Sequence, residues 1–158
     1  MSKHSIYLSH HLQTGYTVVY EELCKALEKS GVNHYLLPYS NDIWARDFMP
    51  VHVGGGEYLG YVYRPDYLYD NVCEREYITN QKLATGDIPI NYIEKLDAII
   101  DGGNFVFCDD KMIMTDKIFS ENPNIKQSKL INKLEEVCQK ELILIPWDME
   151  EEYGHADG

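Results

Sequence analysis

An α/β fold is predicted for these 158 residues on three observations. Short apolar runs of strand length alternate with stretches of helical period. The order of elements over residues 96–147 is β-β-α-β, and a hairpin over residues 51–63 is compatible with a rotated version of the same unit. The residues able to do chemistry are gathered in three loops, each at the end of a strand-like run.

Taken in order, residues 5–9 (S-I-Y-L-S) read as a short strand. Residues 17–30 carry Val19, Leu23, Ala26 and Leu27 at helical spacing, with charges on the other face and Gly31 where a left-handed C-terminal cap falls. Residues 34–39 (H-Y-L-L-P-Y) form a second strand. Residues 51–53 and 57–63 flank three glycines and read as a hairpin. Residues 64–95 give no clean stripe; the helix candidate there is 71–83. Residues 96–100 form an apolar strand, and residues 105–108 and 112–115 pair across Asp109-Asp110-Lys111. Asn122-Pro123 predicts a helix start, with Asn capping and Pro at the first position. Leu130, Leu134, Val137 and Cys138 are its expected buried face. Residues 141–146 (E-L-I-L-I-P) close the series as a strand. The whole reads as one domain, with approximate modules 1–63 and 96–147 and an unread segment 64–95.

The 26 acidic and 14 basic residues leave a net charge of −12. That argues against a nucleic-acid backbone or an anionic membrane as partner, because both need clustered Lys and Arg. It is compatible with a cationic substrate. There is no secretory h-region and no apolar run near about 18 residues, so neither a secretion signal nor a membrane span is expected. Cys24, Cys73, Cys108 and Cys138 are scattered without a C-x-x-C pair, which fits reduced thiols in a cytoplasm.

The first loop, residues 41–50 (N-D-I-W-A-R-D-F-M-P), puts Trp44, Arg46, Asp47 and Phe48 where turn residues are usual. The second is Asp101-Gly102-Gly103-Asn104 and the third Gly154-His155-Ala156-Asp157-Gly158. Two carboxylates across a cavity can hold a planar cation in paired hydrogen bonds. A histidine beside them can move protons near neutral pH, and a tryptophan can stack on the cation or wall the pocket. Glycines at 102, 103, 154 and 158 let backbone approach closely.

These motifs, W-x-R-D-x-x-P, D-G-G-N and G-H-x-D-G in this order and spacing, resemble the agmatine deiminase and bacterial peptidyl-arginine deiminase family of the guanidine-modifying superfamily. The resemblance spans essentially the whole chain and matches the family's N-terminal part. It implies a pentein-like α/β propeller of ββαβ modules, of which this chain is about half. It implies that Asp47 and Asp157 grip a guanidinium from two sides and that His155 is the general acid and base. Asp101 would support by orienting His155 or the substrate, and Trp44 would wall the pocket. Arg46, Gly102, Gly103 and Asn104 would be structural. The implied partner is a guanidinium-containing small molecule or an arginine side chain, with no metal or organic cofactor. The family reaction runs through a thiolate adduct: sulfur attacks the guanidinium carbon, ammonia leaves, and water releases the ureido product.

The family's nucleophile lies in a glycine-rich segment near the end of a longer chain, and none of the four cysteines here has that setting. Cys24 and Cys138 fall on helical faces, Cys108 near a hairpin tip, and Cys73 in the unread segment. The expectation is a deiminase portion that is inactive alone, whose reading frame continues past Gly158 to a cysteine. Two alternatives stand beside it. One is a non-catalytic guanidinium-binding module, self-associating through uncovered propeller edges as a homo-oligomer. The other is a metal-dependent hydrolase with His155, Asp157, Asp101 and His52 or the His10-His11 pair as ligands, although no spacing here matches a metal motif.

Overall fold

The computed structural model describes residues 5–150 and 153–157. Gly158, the last glycine of the third loop, lies outside the described residues. The described chain is a mixed α/β fold with three small sheets.

β1 (Ser5–Ser9) and β2 (Asn33–Leu37) pair in parallel from Ser5 with Asn33 to Ser9 with Leu37. Their crossover contains a helix the sequence reading lacked, α1 (His10–Gly15), started by the Ser9 hydroxyl accepting from His11 N–H at 3.1 Å. It then runs through α2 (Thr17–Lys29), which ends as expected before Gly31 in the left-handed region, φ +68°. The apolar stripe of α2 is less covered than its pattern suggested: no α2 residue is fully buried, and Val18 and Val19 stay exposed. Two strands offer too little surface to cover a helix of that length.

The other two sheets share one plan. β3 (Val51–Gly54) pairs antiparallel with β4 (Glu57–Val62), and β4 pairs in parallel with β5 (Tyr92–Ile99). Likewise β6 (Val106–Cys108) pairs antiparallel with β7 (Lys111–Thr115), and β7 in parallel with β8 (Glu141–Ile145). The strand of residues 96–100 therefore belongs with the 51–62 hairpin, and module edges at 63 and 96 cut through one sheet. The first hairpin turns on Gly54, Gly55 and Gly56, all at positive φ.

Residues 64–91 are the crossover from β4 to β5. They hold α4 (Asp66–Tyr69), a 3₁₀ turn over Arg75–Tyr77 and α5 (Gln81–Ala84). The single helix over 71–83 does not form. Asn71 accepts from Cys73 N–H, and Asn80 caps α5 by accepting from Leu83 N–H, so side chains divert the backbone into short turns.

Asn122 does not cap the long helix either. That helix, α7 (Gln127–Cys138), starts five residues later, with Leu130, Leu134, Val137 and Cys138 buried as expected. Asn122 instead closes α6 (Lys117–Glu121) and acts as a false strand partner for β5. Its Oδ1 accepts from Ile99 N–H at 2.8 Å, and its Nδ2 donates to the carbonyls of Ile99 and Ile118 at 2.7 and 2.8 Å. A carboxamide offers the same donor and acceptor pair as a peptide, so a buried strand end can be satisfied by one side chain. The core where the sheets meet is centred on Phe48, Leu59, Ile100, Phe105, Met112, Met114, Ile118 and Leu134. The three motif loops follow β2, β5 and β8, the last strand of each sheet.

Candidate functional site

After β2 the chain makes one helical turn, α3 (Ala45–Phe48). Phe48 is fully buried, edge-on to Tyr63 at 6.1 Å, and its burial carries its neighbour Asp47 inward to 7% exposure. The Asp47 carbonyl accepts from Tyr61 Oη at 2.7 Å, which fixes the turn from below. After β5, Asp101 starts a 3₁₀ turn over Gly102–Asn104, its Oδ1 accepting from Gly103 N–H at 3.0 Å. Both glycines are set by close approach. A Cβ on Gly102 would stand 2.0 Å from the Arg46 carbonyl, and one on Gly103 would stand 2.5 Å from His155 Nδ1.

The third loop is fastened to the second. Asn104 Oδ1 accepts from Thr115 N–H at 2.7 Å, Thr115 Oγ1 donates to the Gly154 carbonyl at 2.6 Å, and Ala156 N–H donates to the Gly103 carbonyl at 3.2 Å. From the other side, Lys117 Nζ donates to the Tyr153 carbonyl at 3.1 Å. Lys117 is 2% exposed and pairs with Asp66 at 2.8 Å.

These ties bring the three loops to one place. One carboxylate oxygen each from Asp47 and Asp101 and one ring nitrogen of His155 lie within 4.8 Å of one another. His155 Nε2 sits 3.0 Å from Asp101 Oδ2 but off the line of a hydrogen bond, and it has no other partner among the described residues. Its Nδ1 faces Asp157 at 3.8 Å. Asp157 Oδ2 accepts from Arg46 Nε at 2.7 Å, and the same guanidinium donates to the Phe105 carbonyl. The Asp47 carboxylate receives no hydrogen bond among the described residues.

A cavity of about 830 Å³ opens over this cluster. Asp47, His155 and Asp157 lie in its lining, Trp44 stands at its mouth at 62% exposure, and Tyr67, Tyr77, Tyr153, Leu68, Asp42 and Glu74 complete the wall. Asp101 is absent from the wall. It lies beneath, 4% exposed, with Oδ2 also accepting from Tyr67 Oη at 2.7 Å. Of the metal ligands named from sequence, Asp101, His155 and Asp157 come together. Asp101 and His155 with Asp47 have the spacing to hold an ion, whereas the other histidines lie apart. His52 packs on Tyr58 and lines a separate hollow, and His10 stacks on His11 beside Ser40.

Burial, reinforced by the Asp101 charge, pushes the Asp47 carboxyl up to about 7, with His155 partly offsetting it. Burial alone would lower the His155 imidazole, but the carboxylates of Asp101, Asp47 and Asp157 outweigh it and raise it. The cluster therefore holds protons near neutrality that an incoming cation would displace. None of the four cysteines lies in the cavity wall, and Cys138 is buried with its thiol pushed up to about 11.

Sequence reasoning missed Tyr67, Glu74 and Tyr77, which lie in the crossover it could not read, and Lys117 and Tyr153. The only hint in the sequence was its thirteen tyrosines, a residue type that often lines pockets.

No family model matches the sequence, and no curated protein matches it. Solved structures do match. A C. jejuni agmatine deiminase with substrate bound is 18% identical, covering 97% of this chain and 57% of its own, with a TM-score of 0.67. The same organism's agmatine deiminase in another structure is 19% identical at a TM-score of 0.66. That of Enterococcus faecalis is 15% identical, covering 98% of this chain and 54% of its own, with a TM-score of 0.63. This chain shares their mixed α/β fold and spans little more than half their length.

Proposed function

We propose that this chain is the guanidinium-binding part of a guanidine deiminase, about half of a pentein-like propeller, acting on agmatine in preference to arginine. The observation that carries the reading is Asp47, a carboxylate more than nine-tenths buried, without a donor among the described residues, facing a cavity with aromatic walls. Such a group is stable only beside a cation or with a proton on it. A guanidinium offers the planar donor fork that Asp47 lacks. His155, held between Asp101 and Asp157, is the group that moves protons, and Asp101 orients it from below. Asp157 is already bonded to Arg46, so it contributes its charge and its second oxygen.

The preference for agmatine follows from charge. Asp42, Glu74 and Asp157 line the cavity, and its one lining arginine, Arg46, is spent on Asp157 and the Phe105 carbonyl. The carboxylate of free arginine finds no cation there, whereas an ammonium meets carboxylates. The reaction needs a thiolate from outside residues 1–158. Isothermal titration at pH 8 with agmatine, arginine and an N-acetylated arginine amide tests the reading. Agmatine is expected to bind tightest and arginine at least tenfold weaker, since one unpaired buried charge costs more than about 1.4 kcal/mol. No binding of any of the three would overturn it.

A further inference from the structure

We propose that Tyr67 is a positioning residue, whose hydroxyl sets how strongly Asp101 holds the proton of His155. Tyr67 lies on α4, in the crossover, and shares no motif with the three loops. Its Oη donates to Asp101 Oδ2 at 2.7 Å, while Gly103 N–H occupies Oδ1 at 3.0 Å. Two donors on two oxygens fix the plane of the carboxylate. The oxygen that Tyr67 holds is the one 3.0 Å from His155 Nε2.

The ring is clamped to match. It meets Tyr153 edge-on at 5.0 Å and His155 at 6.5 Å, and Lys117 Nζ sits 5.1 Å over its face. Burial and the Asp101 charge raise the phenol well above its ordinary range, so Tyr67 stays a neutral donor. A donor on Oδ2 draws charge away from His155. Without it, Asp101 acts on the imidazolium at full strength, and His155 gives up its proton less readily. Other ionisable groups face His155 as well: Asp47 and Asp157 in the same cluster, Arg46 through Asp157, and Tyr153, with Lys117 behind the Tyr67 ring. Tyr67→Phe changes none of them and keeps the ring packing.

The proposal rests on reading Asp101 and His155 as the proton-handling pair, and the test separates the two. The ring Cε1–H of His155 is titrated by NMR in the full chain, assigned with His155→Gln. Tyr67→Phe is expected to raise the midpoint by roughly half a pH unit or more, since a hydrogen bond to a charged group is worth over about 1 kcal/mol. In an Asp101→Asn background the same change is expected to have no effect. A midpoint unmoved by Tyr67→Phe, or a shift that persists with Asp101→Asn, overturns the proposal, whatever happens to the melting temperature. If Tyr67→Phe does not fold, 3-fluorotyrosine at Tyr67 is a stronger donor and is expected to lower the midpoint; no change overturns the proposal. Agmatine is titrated into the same samples. A shifted midpoint without agmatine binding defeats the guanidinium reading alone, and binding without a shift defeats only the role of Tyr67.

Discussion

At pH 8 the Asp47 carboxyl is ionised where no described residue donates to it, so it opposes folding. Its native pKa, about 7, lies above its ordinary 3.8. Between those values the native state holds a proton that the unfolded chain has lost, so stability falls as pH rises through that window and the cost is complete above it. Asp47→Asn is therefore expected to be more stable than the parent at pH 8, by an amount on the order of a few kcal/mol, and to melt at a higher temperature. The gap should close as pH falls toward 4 in parallel scans, and a gap that widens toward acid would refute the assignment. The raised imidazole of His155 gives a slope of the same sign: the stability it adds is present below its ordinary 6.5 and lost as pH rises through its native value. A guanidinium needs Asp47 ionised and is repelled by a charged His155, so both groups make agmatine affinity rise with pH. Calorimetry is expected to show a rise of about tenfold per pH unit below 7 from Asp47 alone, made steeper by His155. Motif letters pointed to Asp47 and His155, but the absence of a donor for Asp47 depends on every neighbour.

Two adjacent glycines of the turn after β5 are expected to behave differently. A Cβ at Gly103 meets the His155 ring, a side chain that can swing away, whereas one at Gly102 meets the Arg46 backbone carbonyl. Gly103→Ala should cost under about 1.5 kcal/mol in urea melts yet lose more than tenfold in agmatine affinity. Gly102→Ala should cost about 3 kcal/mol or more, because α3 itself must move. Equal stability losses would mean the loops are not packed as described. Asn122→Ala is expected to cost about 2 kcal/mol by orphaning the partly buried N–H and C=O of Ile99. The elements with a local cause were legible: the α7 stripe, the Gly31 cap and both hairpins. Asn122 was misread because Asn-Pro carries a local capping signal, while its strand partner, Ile99, lies 23 residues back in sequence. The 64–91 crossover was illegible because its turns are fixed by individual asparagine caps and by the guanidinium groups of Arg64 and Arg75 over the Tyr69 ring, and neither leaves a period.

Three sheets of two or three strands expose open edges and the face of α2. Sedimentation is expected to show concentration-dependent association of the chain; a clean monomer at high concentration would count against that surface being adhesive. Purified alone, the chain should bind agmatine and release no ammonia, since no cysteine lies in the cavity wall. Steady ammonia release that survives removal of all four thiols would refute the thiolate mechanism. No helix among the described residues is long and apolar enough to cross a membrane.

The sequence by itself determined the alternation of strands and helices, the acidic balance and the three loops that carry reactive residues. Each of these is written in neighbouring letters, as a period, a count or a turn. Only the tertiary structure decided that Asp157 answers to Arg46, that Asp101 lies beneath the cavity, and that Tyr67 and Lys117 support the site. Those relations join residues 34 to 111 positions apart, and distance along a chain carries no period to read. They arise when β2, β5 and β8 bring their trailing loops to one rim, where burial raises the carboxyl of Asp47.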